Sequence, residues 1–111
     1  MFVSINRLQI KPGSESILEE RFAQSKGLDD MPGFIQFQLL KQVWNPHQNP
    51  DEPIEAIEFL AMTSWESEEH FRAWTQSEAF RKAHSGPKLD IFAGPGRPAG
   101  YEQRLHRQPK A

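Results

Sequence analysis

Apolar and polar residues alternate from Met1 to Ile10: Phe2, Ser4, Asn6, Leu8 and Ile10 share one face, Val3, Ile5, Arg7 and Gln9 the other. That period of two predicts a β-strand. Lys11-Pro12-Gly13 breaks it. Ser14 or Ser16 then offers a helix cap, with Ser16 and Glu19 at capping-box spacing. Ile17, Leu18, Arg21, Phe22 and Ser25 follow at helical spacing, so a helix is expected over about 14–27. Pro32-Gly33 marks a turn into a second strand, 34–44, with Ile35, Phe37, Leu39 and Val43 on one face. The three prolines of 45–53 demand a loop, and 55–65 reads as a third strand with Ile57, Phe59, Ala61, Thr63 and Trp65 on a common face. Ser67 is a suitable N-cap, and Glu68 and Glu69 suit the positive end of the helix that follows. Ser77-Glu78 signals a break near Gln76 and a further short helix carrying Phe80, Ala83 and His84. With three prolines and four glycines, 85–100 reads as a long irregular loop, and 101–107 as a weak last strand before a polar tail.

The order β-α-β-β-α-β predicts an α+β fold, a ferredoxin-like sandwich whose antiparallel sheet carries its helices on one face. The chain is then one domain over 1–107, with 108–111 as the polar tail. Strands two and three are also apolar on their second face, at Leu40, Leu60 and Met62. A second copy is the natural cover for that face, so a homodimer with facing sheets, a dimeric α/β-barrel, is expected.

Composition narrows the function. The chain of 111 residues has a formal charge of −2, which points to neither nucleic acid nor an anionic membrane surface as partner. It has no cysteine, so disulfides, thiolate metal sites and cysteine nucleophiles are excluded, in keeping with a reducing cytoplasm. No stretch is long and apolar enough to span a bilayer, and the first residues lack signal-peptide character. Eight Phe and three Trp against one Tyr suggest an apolar pocket or interface beyond the core.

Three residues stand out: Asn6, an amide within an alternating strand; Trp74, on the inward face of a helix; and His84, at the end of the next helix beside a loop. Each has an ordinary reading alone. Asparagines on strands commonly face solvent, helix tryptophans fill cores, and a histidine at a helix C-terminus is favoured by the dipole. Gly94-Pro95-Gly96 is no phosphate loop, lacking both GxGxxG spacing and a following helix. The nine acidic residues from Asp51 to Asp90 show no paired metal-ligand spacing.

Met31-Pro32-Gly33-Phe34, the run Trp65-Glu66-Ser67-Glu68-Glu69-His70-Phe71-Arg72-Ala73-Trp74, and Phe80-Arg81-Lys82-Ala83-His84 resemble the antibiotic biosynthesis monooxygenase superfamily, and within it the IsdG-type haem-degrading branch. That branch carries an Asn on the first strand, a Trp in the second helical segment and a His about ten residues on, matched here by Asn6, Trp74 and His84. The resemblance spans most of 1–84. It implies a monooxygenase that binds haem as both cofactor and substrate, with dioxygen and electrons from a separate donor, and cleaves the porphyrin to release iron. His84 would be the proximal iron ligand, since His70 reads as exposed, His47 lies in the Pro-rich loop and His106 near the tail. Asn6 would donate a hydrogen bond to dioxygen, and the Trp74 indole would ruffle the macrocycle. Phe22 and Phe71 are candidate pocket walls, and Arg21, Lys26, Arg81 and Lys88 candidate partners of the propionates. Two rivals share these residues: a cofactor-free monooxygenase of quinols or polyketide aromatics, with His84 as general base, and a haem-binding module without turnover.

Overall fold

The N-terminal alternation becomes β1 (Phe2–Ile10), and the structure, a computed structural model, describes residues 1–110. α1 (Glu15–Ala23) follows, then β2 (Phe34–Lys41), β3 (Ile57–Trp65), α2 (Glu68–Thr75), α3 (Glu78–His84) and β4 (Arg97–Glu102). The strands form one antiparallel sheet in the order β2-β3-β1-β4. This is the ferredoxin-like arrangement that the order of elements predicts. No helix among the described residues is long and apolar enough to cross a membrane.

Register decides which side chains meet. In β1 and β3, Phe2 lies opposite Trp65, Ser4 opposite Thr63, Asn6 opposite Ala61, Leu8 opposite Phe59 and Ile10 opposite Ile57. Opposed residues share a face, so one stripe of the sheet presents all of these to the helices. Leu8, Ile10 and Phe59 pack with Leu18 of α1 and with Ile91, flanked by Phe22 and Leu39. Full burial of each large apolar side chain stabilises by about 1.5–3 kcal/mol, which makes this cluster the mechanical base of the domain.

Several boundaries differ from the sequence reading. α1 stops at Ala23, and the chain turns through Gly27 at φ +94°, which lies directly against Ala79 of α3. Its cap position is Ser14, which makes no side-chain cap bond. The Ser16–Glu19 box does not form, and Glu15 instead accepts from the Gly13 N–H at 2.7 Å. β2 is shorter than 34–44, and an irregularity between Phe34 and Gln36 takes Ile35 out of the alternation, leaving it exposed. Val43, beyond the strand, is exposed as well. Phe37 and Leu39 keep their expected side.

The last strand is Arg97–Glu102 rather than 101–107. Pro98 and Gly100 discourage a strand reading, but on an edge a proline costs no ladder bond. Nor is the whole of 85–96 loose. The Lys11 N–H donates to the Ile91 carbonyl at 2.7 Å and the Ala93 N–H to the Gln9 carbonyl at 2.8 Å, which delivers Ile91 into the core.

Candidate active site

One serine sets the geometry of the second helical segment. The Ser77 hydroxyl donates to the Trp74 carbonyl at 2.6 Å and accepts from the Phe80 N–H at 3.1 Å, so it ends α2 and caps α3 together. The fixed turn brings Phe80 edge-on to Trp74, with centroids 4.9 Å apart at 89°. One helical turn later His84 stacks on Phe80 at 4.0 Å, and its ring centre lies 6.4 Å from that of Trp74.

Trp74 is half-buried and held on several sides. Trp65 lies beneath it at 5.6 Å and Phe71 beside it at 6.2 Å. Trp65 is itself fully buried and tied by its indole N–H to Thr63 Oγ1 at 2.9 Å. Phe71 also meets Phe2 at 5.1 Å. The indole of Trp74 is therefore a fixed surface.

His84 is exposed, and its Nδ1 lies 2.8 Å from the Phe80 carbonyl oxygen. A carbonyl only accepts, so Nδ1 carries the proton of that bond and Nε2 is the ring nitrogen left to offer a lone pair. A backbone carbonyl on one ring nitrogen is the arrangement that orients metal-binding histidines. Arg81 and Lys82 accompany it in the last turn of α3. Arg21 of α1 donates to the Pro87 carbonyl at 3.1 Å and thereby ties the segment after His84 to α1. The side chains of Lys26 and Lys88 stand in solvent.

Asn6 lies midway along β1 on the helix side, among Ser4, Ala61 and Thr63. These short side chains separate the aliphatic cluster under α1 from the aromatic cluster under α2. Its Oδ1 is buried and has no hydrogen-bond partner. An unsatisfied buried polar atom costs about 1–3 kcal/mol, and such atoms in folded proteins call for an explanation.

The structure thus brings Trp74, Phe71 and His84 together, while Asn6 stands apart from their ring contacts on the shared sheet face. Phe22 belongs to the other side, stacked on Phe37 at 5.3 Å. His70 is not the exposed residue its acidic neighbours suggested. Its ring packs over Gly33, where a Cβ would collide with it, and Nδ1 meets Ser67 Oγ at 2.7 Å. Residue patterns gave no functional role to Phe80, whose ring and carbonyl both hold His84. The spacing of four between them on one helix was the available signal.

The pattern of the antibiotic biosynthesis monooxygenase family matches residues 1–86, from the start of β1 to just past His84. The chain belongs to that family. Among its relatives is a staphylobilin-producing haem oxygenase of Staphylococcus haemolyticus, 34% identical over 76% of this chain and 73% of that protein. A mycobilin-producing haem oxygenase of Mycobacterium tuberculosis is 34% identical over 82% of this chain and 77% of its own. The solved structure of the haem degrader MhuD from Mycobacterium tuberculosis, with two haems in its active site, superposes with a TM-score of 0.73. It is 28% identical and covers 97% of this chain and all (100%) of that one. This member of the antibiotic biosynthesis monooxygenase family therefore shares sequence and fold with haem oxygenases over most of its length.

Proposed function

We propose that this chain is a haem-degrading monooxygenase that holds haem iron through Nε2 of His84 and oxidatively opens the porphyrin ring, releasing iron. The observation that carries the reading is the His84–Phe80 bond at 2.8 Å, which leaves an exposed imidazole with a free Nε2 beside a fixed indole. The similarity to two haem oxygenases at 34% identity supports it.

The residues present suit haem. An imidazole is a strong axial ligand, the ring surfaces of Trp74 and Phe71 suit a flat apolar macrocycle, and Asn6 holds an amide with one end unpaired. Haem supplies the iron that activates dioxygen and the porphyrin carbon that is oxidised, with electrons from an external donor. His84 binds and orients; its proton stays on Nδ1, shared with the Phe80 carbonyl. Asn6 offers its amide as a hydrogen-bonding group on the reacting face. Trp74, braced by Trp65, Phe71 and Phe80, resists displacement and so presses on whatever lies against it. Phe71 would bound the haem on the α2 side, and Phe22, stacked on Phe37 at 5.3 Å, would bound it at the far, α1 end. The protein acts in the cytoplasm.

The test is aerobic incubation with haemin and ascorbate, followed by visible spectra and ferrozine. The expected result is a saturable Soret band that decays with release of iron. A protein that binds no haemin contradicts the reading and leaves the cofactor-free oxygenase in its place.

The same reading includes a two-fold dimer. Val3, Ile5, Leu40, Leu60 and Met62 lie on the sheet face turned away from the helices. Glu58, with Arg7 at 3.5 Å and Gln9 at 2.9 Å, gives that face a polar rim at one end. A second copy covers it. Light scattering of the parent should give twice the chain mass, and Leu60→Asp should give the single mass; a parent at the single mass at micromolar concentration contradicts the dimer.

A further inference from the structure

Glycine at position 96 is not explained by its backbone. Positive φ occurs at Gly13, Gly27 and Gly33 and not at Gly96, where the chain enters β4 in a conformation open to any residue. The reason for glycine lies across the strand pair. In register Asn6 faces Pro98, so position 96 is its diagonal neighbour on the helix-side face. A Cβ on Gly96 would stand 3.0 Å from Asn6 Oδ1, 3.4 Å from Asn6 Nδ2 and 3.5 Å from Leu8 Cδ2. Leu8 is packed into the aliphatic core and cannot retreat. The Asn6 amide, unpaired at Oδ1, is the group that would turn.

We infer that Gly96 is a positioning residue for Asn6: its missing Cβ is the space that lets the amide keep its unpaired orientation. The β4 segment opposite Asn6 serves this purpose with two residue types. Gly96 leaves room, and Pro98 brings no backbone N–H to claim the amide oxygen. Even alanine at position 96 then pushes the amide aside through steric pressure alone, with no effect on His84, which sits on a different element. The consequence for turnover rests on the reading of Asn6 as a group on the reacting face.

The experiment has two arms. In the haem-free protein, the Asn6 side-chain amide pair is identified in a ¹⁵N-correlated NMR spectrum by its loss in Asn6→Ala. It is then followed in Gly96→Ala and Gly96→Ser; position 96 is exposed, so both variants keep the core. The expected result is a displaced Asn6 pair, with the pairs of Asn45 and Asn49 unmoved. With haemin, Gly96→Ala should keep the parental Soret position and slow haem consumption by about three- to tenfold, less than the roughly hundredfold that a misplacement of about 1 Å can cost. In an Asn6→Ala background the same substitution should change the rate less than about twofold, because contacting residues are not additive. An Asn6 pair that stays in place in both variants overturns the proposal. So does an equal slowing in the Asn6→Ala background. If Asn6→Ala itself consumes haem at the parental rate, the assigned role of Asn6 falls and the link to turnover with it, while the NMR arm still decides the positional claim.

Discussion

Under α1, Leu18 comes down on Leu8, Ile10 and Phe59, and none of the four exposes more than 6% of its surface. Under α2 and α3 the helices bury no residue completely. Their order comes from ring contacts running from Trp65 through Phe71 and Trp74 to Phe80 and His84. Both ends rest on the same face of one sheet. The aliphatic cluster is closed and its side chains carry no titratable or hydrogen-bonding group, so its contribution is stability. The aromatic end keeps ring edges and an imidazole accessible, and obtains rigidity from ring packing and from Ser77. Asn6 lies at the boundary, and its Oδ1 is the one buried side-chain polar atom without a partner among the described residues. Stability and chemistry are thus divided along the strands rather than between layers.

The largest expected effect lies at the aliphatic end. Phe59→Ala should cost about 3–5 kcal/mol, a large part of a total that is about 5–15 kcal/mol for such domains, and denaturant unfolding measures it. Any fall in haem binding by this variant should follow the loss of folded protein; a stable variant would show that the closed end is not the base of the fold.

At the aromatic end the same kind of truncation should act on chemistry. Trp74→Phe should hold haem affinity within about tenfold, or about 1.4 kcal/mol, while slowing degradation clearly. Titration and turnover separate the two, and a parental rate would remove the indole from the account.

Asn6→Ala sharpens the division further. It deletes a buried atom whose lack of a partner costs about 1–3 kcal/mol, so the thermal midpoint should hold or rise while haem consumption falls. A destabilised variant with unchanged turnover would make Asn6 a structural residue.

The smallest effect concerns Glu69 in the first turn of α2. Its carboxyl is held below the ordinary carboxylate value by a hydrogen bond from its own backbone N–H, then by the Ser67 hydroxyl, with Arg72 and His70 adding to this. A depressed folded pKa contributes stability above the unfolded value, about 4.3, and loses it as the pH falls through the folded value. Glu69→Gln should therefore be slightly less stable than the parent near neutrality, and the gap should close in acid. Because the group is fully exposed, the difference is small, and thermal melts at pH 7 and pH 3 compare it.

Periodicity carried most of the fold, because β1, β3 and α2 each turn one apolar face inward and their patterns are clean. It failed where the pattern has no face to report. β4 is exposed along its whole length and holds Gly and Pro, and Ile35 leaves the alternation at an irregularity that no local signal announces. The candidate site was legible as residue types at family spacing, Asn6, Trp74 and His84. The parts that hold them were not: the Phe80 carbonyl is a backbone group, the buried state of Asn6 Oδ1 depends on a strand some ninety residues away, and His70 is covered by Gly33 from another element. Contacts of that range leave no trace in a single local pattern.

The most direct test of the central claim is the visible spectrum of His84→Ala titrated with haemin. The account expects the variant to stay folded, since His84 is exposed, to lose the imidazole-ligated Soret band of the parent and to cease degrading haem. Added imidazole should restore the band by filling the vacated position. A variant that binds haemin with the parental spectrum would contradict the assignment of His84 as the iron ligand.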